Sequence, residues 1–383
     1  MKKLKSIELF SGAGGLALGL HAAGFQHRAL YEWNASAVET LRYNQSMGHE
    51  SLSGCEIHRA DVRDVDFRKY RGVDLIAGGP PCQPFSMGGK AAGMNDGRDM
   101  FPQAIRAVAE VQPRAFIFEN VRGLLRPAFS NYVEYIRLQM EFPEHPLVEN
   151  VTWDQNLARL QRHKERVGKA GEGLQYRVHI HQANAADYGI PQQRHRVFFI
   201  GFRSDLKTDW FFPKPTHMDG VRLSKIRAKG DSSSKKAQQN MLPWMPLNDA
   251  IKDLPDPAGK VPKKWRNHDL QEGAKSYPGH TGSPLDKPAK ALKAGAHGVP
   301  GGENMILFPD GSVRYLTIRE SARVQTFPDN YVFLGSWTEA MRQLGNAVPV
   351  DLAKIVGKSV ARALTRQSAQ NTQLKGNEAI QSS

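Results

Sequence analysis

The sequence predicts an α/β protein with a doubly wound, mostly parallel sheet and a smaller, irregular inserted domain. Short apolar runs alternate with amphipathic stretches over the first 120 residues, which is the pattern of βαβ units. A glycine-rich turn follows the first apolar run, and the composition changes near residue 203, where prolines and basic residues become frequent. In such a sheet, ligands bind outside the carboxyl ends of the strands, so a site is expected at that edge.

The individual elements follow from the spacing of apolar residues. Strands are predicted where short apolar runs end in glycine, proline or a polar residue, at 6–10, 29–32, 73–77, 115–118, 176–183 and 197–202. Helices are predicted where apolar residues recur at helical spacing, at 16–23, 35–44, 101–111, 319–325 and 351–364. Residues 365–383 are polar and are predicted to form a disordered tail.

Composition limits the class of protein. The chain has 383 residues, of which 40% are hydrophobic and 23% charged, so it is neither wholly disordered nor collagen-like. Two cysteines, Cys55 and Cys82, are too few for a disulfide scaffold or a Cys-rich zinc module. The apolar runs are shorter than the roughly 18–20 residues of a membrane span. No apolar signal core follows the basic start, so we expect no membrane association and a cytoplasmic location.

The charge is unevenly distributed. The formal net charge is +14, which favours a polyanionic partner such as nucleic acid. Residues 203–300 contain 18 Lys and Arg against 10 Asp and Glu, together with 11 of the 23 prolines. More than half of the net charge therefore lies in about a quarter of the chain, and this region is interpreted as a basic inserted domain.

The first glycine-rich turn predicts a nucleotide-like ligand. Gly12, Gly14 and Ala17 fit the G-x-G-x-x-A pattern between a strand and a helix, and Glu32 lies where an acid would bind ribose hydroxyls. NAD, FAD and S-adenosylmethionine would all satisfy this pattern, and an ordinary tight turn is a further alternative.

Cys82 lies in a loop that follows a buried strand. Pro81 and Pro84 flank it closely and restrict the backbone, which would present the thiol in one orientation. Its loop position argues against the usual role of cysteine as an inert core residue, the role that we expect for Cys55. A reactive thiolate at Cys82 would need nearby cations to form near neutral pH.

Glu119 follows the next buried strand, so it should face the same pocket as Cys82. Arg194 and Arg196 are predicted to point to one face of a strand, where two cations suit a thiolate, a phosphate or a carboxylate. Alternatively, Glu119 could cap the next helix or pair with an arginine, and the two arginines could form ordinary surface salt bridges. His179 and His181 share a strand face without a third ligand at useful spacing, so we interpret them as structural and predict no metal site.

Together these segments resemble the DNA (cytosine-5)-methyltransferase family of the bacterial restriction–modification type, along most of the chain. The matching blocks occur in the family's order, at residues 10–15, 31–34, 60–62, 78–86, 119–121, 192–196, 319–328 and 343–349. The resemblance implies a Rossmann-like S-adenosylmethionine-dependent catalytic domain over 1–202 and 319–364. It implies a target-recognition domain over 203–318, the region where the composition changes.

The resemblance also implies roles for single residues. Cys82 would add to carbon 6 of a cytosine that has left the duplex stack, and Glu119 would contact ring N3 and the exocyclic amine. Asn120 would orient the Cys82 loop, while Arg194 and Arg196 would hold the base. The implied cofactor is S-adenosyl-L-methionine, and the residues implied to bind it are Phe10, Gly12, Gly14, Glu32, Trp33, Asp61, Asn346 and Val348. The implied partners are double-stranded DNA and a restriction endonuclease that shares the site, and the protein is expected to be a monomer.

Three other functions compete with this interpretation. An NAD-dependent oxidoreductase would explain the glycine turn and Glu32, but not Cys82, Glu119 or the basic insert. A DNA-binding module without catalysis is disfavoured because Cys82 and Glu119 are both present. A tRNA cytosine-5 methyltransferase would use the same blocks, and the large basic insert favours duplex DNA over tRNA.

Overall fold

The computed structural model describes residues 3–81, 99–148, 151–167, 173–206, 208–228, 240–294 and 302–381. The first eight strands are β1 (Leu4–Leu9), β2 (Phe25–Glu32), β3 (Glu56–Arg59), β4 (Leu75–Gly78), β5 (Ala115–Val121), β6 (Tyr176–Asn184), β7 (Gln192–Gln193) and β8 (His195–Arg203). All but β7 form one sheet in the order β3-β2-β1-β4-β5-β8-β6. The five strands from β3 to β5 in this order are parallel, whereas β8 is antiparallel to both of its neighbours.

Helices cover both faces of this sheet. The helices of the described residues are α1 (Gly15–Ala22), α2 (Ala35–Ser46), α3 (Phe101–Val111), α4 (Ser130–Glu141), α5 (Trp153–Val167), α6 (Gly220–Ala228), α7 (Leu247–Ile251), α8 (Ile318–Val324), α9 (Trp337–Asn346) and α10 (Val350–Gln381). Val108 of α3 and Ile136 of α4 are buried on one face, and Leu20 of α1 and Val356 of α10 on the other. Among the residues described, no helix is both long enough and apolar enough to cross a membrane.

The predicted fold class is confirmed. Every strand and helix predicted outside the insert is present, with ends that differ by a few residues except at the C-terminal end of α10. β3 is not predicted because it is a short edge strand with polar and partly exposed side chains, so it lacks the apolar signal of the central strands. The order of the strands reverses between β1 and β4, and this is the point where doubly wound sheets bind ligands.

The inserted segment is irregular, as predicted, and shares its core with the α/β domain. Its strands are β9 (His217–Met218), β10 (Leu242–Pro243), β11 (Ser283–Pro284), β12 (Ala289–Lys290), β13 (Met305–Leu307) and β14 (Val313–Tyr315). Leu247 and Ile306 of the insert lie in one apolar cluster with Ala17 of α1 and Leu41 of α2. β12 pairs with β7, so the insert is joined by a strand pair to the segment that precedes β8.

The end of the chain differs from the prediction. α10 continues to Gln381, whereas the sequence analysis predicts a disordered tail from residue 365. This part of the sequence is polar, but it is rich in residues that tolerate the helix and contains no proline, so helix α10 meets no strong breaker before its end.

Candidate functional site

The glycine turn lies at the carboxyl end of β1. Phe10, Gly12 and Gly14 all have left-handed backbone conformations, with φ of 56°, 52° and 88°. The amide of Gly14 donates to the carbonyl of Ser11 at 2.9 Å, which closes the turn. Glycine adopts this conformation without strain at two of the three positions. Phe10 is a bulky residue in the same conformation, which marks a strained position in the backbone.

The segment after α9 approaches this turn closely. A Cβ atom on Gly15 would lie 2.4 Å from the carbonyl oxygen of Val348, so only glycine permits this approach. Val348 is buried, while Asn346, at the end of α9, is exposed. The fold thus brings the block at 346–348 to the turn at 12–15, although more than 300 residues separate the two in sequence.

Glu32 joins the glycine turn to the end of β2. Its Oε2 accepts a hydrogen bond from the amide of Gly12, and its Oε1 accepts one from the amide of Asn34, both at 2.7 Å. The side chain of Trp33, between these partners, is 69% exposed. A large aromatic surface therefore stands open beside a carboxylate and a glycine turn, an arrangement that can hold a nucleoside.

Asp61 lies just beyond the end of β3, next to these residues along the sheet edge. The amide of Ala60 donates to the carbonyl of Glu32 at 3.1 Å, which ties the two strand ends together. The Asp61 carboxylate pairs with Arg63, and the hydrogen bonds from that guanidinium lower the pKa of Asp61. Asp61 is therefore a carboxylate at the same edge of the sheet as Glu32 and the glycine turn.

Glu8 is a buried carboxyl group that the sequence analysis does not assign. It lies in β1 with 1% of its surface exposed, and its Oε2 has no hydrogen-bond partner within the described part of the chain. Burial raises its pKa well above the usual value, and the nearby Glu32 carboxylate raises it further. The sequence carries a signal for it, because Glu8 is an acid between the apolar Ile7 and Leu9 of a predicted strand.

Glu119 and Arg196 form a buried ion pair on neighbouring strands. Glu119 lies on β5 and Arg196 on β8, and Nε of the arginine is 2.5 Å from Oε1 of the glutamate. Burial raises the pKa of Glu119, while the positive charges of Arg196 and Arg194 lower it. The other carboxylate oxygen faces Gly79, since a Cβ there would lie 3.3 Å from Oε2.

The chain that leads to Cys82 is anchored beside Glu119. The side-chain amide of Asn120 donates to the carbonyl of Pro80 at 2.9 Å, and the carbonyl of Pro81 accepts from the amide of Met100 at 3.0 Å. Cys82 itself lies outside the described residues, which resume at residue 99. Cys55 is buried, as predicted, and burial raises the pKa of its thiol to about 12.

Arg194 occupies a different position from the one predicted. It lies between β7 and β8 rather than within a strand, and none of its surface is exposed. Its guanidinium donates to the carbonyls of Leu292 at 3.0 Å and Gly345 at 2.5 Å. The chain leaves the short strand β7 at Gln193, and β8 begins at His195. Arg194 thus connects the insert to the end of α9, while its charge still acts on Glu119.

His179 and His181 contact aromatic side chains from the start of the insert. The ring of His179 lies 5.2 Å from that of Trp210, and the ring of His181 stacks on Phe212 at 3.8 Å. Desolvation lowers the pKa of both imidazoles. These contacts fit the structural role expected for the pair.

Comparison with known proteins identifies relatives over nearly the whole chain. The family described as C-5 cytosine-specific DNA methylase matches residues 4–144 and 129–362. The Type II methyltransferase M.NgoMIV of Neisseria gonorrhoeae is 32% identical over 95% of this chain and 99% of its own length. M.Eco47II of Escherichia coli is also 32% identical, over 94% of this chain and 79% of its own.

Two solved structures share the fold at lower sequence identity. The S. pombe Dnmt2 methyltransferase superposes with a TM-score of 0.57 at 18% identity, covering 95% of this chain and 99% of its own. The Entamoeba histolytica methyltransferase EhMeth gives a TM-score of 0.58 at 12% identity, with 95% and 99% coverage.

Proposed function

The chain belongs to the C-5 cytosine-specific DNA methylase family and is a DNA (cytosine-5-)-methyltransferase, and we propose how its residues carry out that reaction. The methyl donor in this proposal is S-adenosyl-L-methionine. The substrate is a cytosine rotated out of a specific duplex sequence, and Cys82 forms a transient covalent bond to its carbon 6. A restriction endonuclease that cuts the same sequence is the proposed biological partner.

The residues at the carboxyl ends of β1, β2 and β3 fit the proposed cofactor. Trp33 offers an exposed ring for the adenine, Glu32 a carboxylate for the ribose hydroxyls, and Asp61 an acceptor for the adenine amine. The left-handed turn at Gly12 and Gly14 leaves room for the methionine portion. Phe10, Asn346 and Val348 complete the proposed pocket. When bound, S-adenosylmethionine supplies an electrophilic methyl group on its sulfonium.

The single observation that carries the proposed chemistry is the buried pair of Glu119 and Arg196 beside the anchored Gly79–Pro81 segment. Glu119, whose pKa is raised by burial, would supply a proton to ring N3 of the bound cytosine, which makes carbon 6 more electrophilic. The Cys82 thiolate then adds to carbon 6, and the electron pair of the C5–C6 double bond becomes available at carbon 5. After methylation at carbon 5, water removes the proton from that carbon, and the Cys82 sulfur leaves as the double bond reforms. Ring N3 returns its proton to Glu119, which restores the starting state of the enzyme.

The proposed nucleophile is tested by Cys82→Ser, with Cys55→Ser as the matched control. We expect Cys82→Ser to abolish methyl transfer while it still binds S-adenosylhomocysteine, and Cys55→Ser to keep its activity. A duplex containing 5-fluorocytosine should form an adduct with the wild-type protein that survives denaturation, because the fluorine cannot be removed as a proton is. Retained activity in Cys82→Ser would refute the mechanism.

The proposed substrate is tested on duplex DNA and tRNA side by side. Bisulfite sequencing of one plasmid methylated by the protein in cells would give the recognised sequence. Methylation of tRNA in preference to duplex DNA would contradict the assignment of the substrate.

A further inference from the structure

The short strand pair of β7 and β12 has one buried face and one open face. Gln192 is paired with Ala289, and both are fully buried. Gln193 is paired with Lys290, and because neighbouring residues in a strand pair point to the same side, these two side chains lie together on the opposite face. This face looks into a pocket of about 470 Å³, which we call the β7–β12 pocket.

The β7–β12 pocket combines donor groups with apolar walls. Its donors are the amide of Gln193 and the ammonium groups of Lys287 and Lys290, and its walls include Pro284, Pro288 and Leu307. Among the described residues that line it, none is acidic. The pocket thus combines hydrogen-bond donors and positive charge with apolar surface.

Lys290 is held in a defined orientation. Its Nζ donates to the hydroxyl of Thr281 at 3.0 Å, and its backbone amide donates to the hydroxyl of the fully buried Ser283, also at 3.0 Å. A lysine ammonium has three protons, so two remain for a ligand. Gly282, between Thr281 and Ser283, has a φ of 66° and lies against the backbone of Ile306, which fixes the pocket wall.

Buried residues below the β7–β12 pocket connect it to the segment that carries Arg196, the partner of Glu119. Gln192 accepts hydrogen bonds from the amide of Leu292 at 3.2 Å and from Arg194 at 3.4 Å, and Arg194 also donates to the carbonyl of Leu292. Gln193 lies three residues before Arg196, the ion-pair partner of Glu119. The segment that carries Gln193 therefore continues through the buried Arg194 to the ion-pair partner of Glu119.

We propose that the β7–β12 pocket reads a guanine of the duplex, with Lys290 and Gln193 donating to the O6 and N7 acceptors on its major-groove edge. This inference rests on the proposed function, since it places duplex DNA across the insert. A lysine only donates, and guanine presents two acceptors where adenine presents one acceptor and one donor. Gln193 and Lys290 stand on paired positions of β7 and β12, so their two donors lie side by side, as two adjacent acceptors on one base edge require.

The experiment uses the full-length protein and duplexes of the recognised sequence mapped by bisulfite sequencing. Each guanine is replaced in turn by 7-deazaguanine, which lacks N7, or by 2-aminopurine, which lacks O6. We expect one guanine position at which the wild-type protein loses about 5- to 150-fold in kcat/KM, the range for a good bidentate contact. Lys290→Met should lose a similar factor on unmodified DNA and should no longer respond to the analogue at that position.

The control variant is Lys275→Met, which removes an exposed lysine of the insert that does not line the pocket. It should keep the wild-type response to the analogues. Gln193→Ala provides a second test if Lys290→Met does not fold, and it should weaken the same guanine position.

Two outcomes would overturn the inference. Lys290→Met could instead weaken binding to all sequences alike and reduce the slope of log K against log salt concentration by about 1. That result would show that the lysine contacts a phosphate. If the responses to the analogues remain those of the wild type in both pocket variants, the pocket does not read a base. Absence of DNA methylation by the wild-type protein would instead refute the proposed function, so the two failures are distinguishable.

Discussion

Arg196 places its Nε atom 2.5 Å from Oε1 of Glu119 across the antiparallel pair of β5 and β8. Both side chains are largely buried, with 13% and 9% of their surface exposed. Burial and the arginine act in opposite directions on the pKa of Glu119, and burial is the larger effect. The pair therefore holds a carboxyl group that can keep a proton at higher pH than an exposed glutamate, next to the segment that leads to Cys82.

Glu119→Gln should lower the rate of methyl transfer by roughly 10²- to 10⁴-fold, the usual contribution of a positioned acid or base. In the wild type, the rate should fall as pH rises through the raised pKa of Glu119, because the protonated form is lost. This decrease of the rate with rising pH should be absent in Glu119→Gln, because an amide does not titrate. Single-turnover rates across a pH series measure both effects. Glu134→Gln on α4 is the control, and a wild-type rate in Glu119→Gln would contradict the assigned role.

Glu8→Gln should change how stability depends on pH. Since the folded state raises the pKa of Glu8 above its unfolded value, the stability from its bound proton is present at low pH and is lost as pH rises through the folded pKa. The groups whose charges act with Glu8 are Glu32, Cys55 and Tyr331. The variant should therefore gain stability relative to the wild type as pH rises above the usual pKa of a glutamate and through the raised folded pKa of Glu8.

Urea unfolding at several pH values measures this difference. Glu39→Gln, an exposed position on α2, should show no such trend. A stability difference between Glu8→Gln and the wild type that stays constant with pH would show that Glu8 does not take up a proton on folding.

Trp33→Ala should weaken cofactor binding without weakening the fold. The ring is 69% exposed, so its removal should change the free energy of unfolding by no more than about 0.5 kcal/mol. Loss of a stacking partner for the adenine should cost about 1 kcal/mol, or roughly fivefold in the Kd of S-adenosylhomocysteine. Calorimetric titration checks the affinity, with Phe211→Ala, at 82% exposure, as the control. If the two variants bind S-adenosylhomocysteine with equal affinity, Trp33 does not contact the cofactor.

Arg194→Met should mainly destabilise the protein. The change leaves the buried carbonyls of Leu292 and Gly345 without this donor, and each unsatisfied group costs about 1–3 kcal/mol. We expect a total loss of about 2–5 kcal/mol in the free energy of unfolding, measured in urea. Arg342→Met, which breaks a surface pair with Glu339, should lose about 1 kcal/mol or less. An equally small loss of unfolding free energy in Arg194→Met would show that the hydrogen bonds of Arg194 to Leu292 and Gly345 do not stabilise the fold.

The sequence predicted most of the central fold because its signals are local. β4 and β5 are continuous apolar runs, the turn at Gly12–Gly14 requires left-handed backbone, and helix α3 has a clear apolar face. β3 gave no such signal, since an edge strand need not be apolar on both faces.

The position of Glu119 beside the segment leading to Cys82 could also be predicted, because the carboxyl ends of neighbouring parallel strands meet at one edge. The sequence thus determined the fold class, the ligand-binding edge and the types of residue there. The burial of Glu8, the junction made by Arg194 and the pairing of Gln193 with Lys290 were decided only by the tertiary structure. Each depends on contacts between segments far apart in the chain, and neither apolar periodicity nor turn chemistry records which distant segment will be the neighbour.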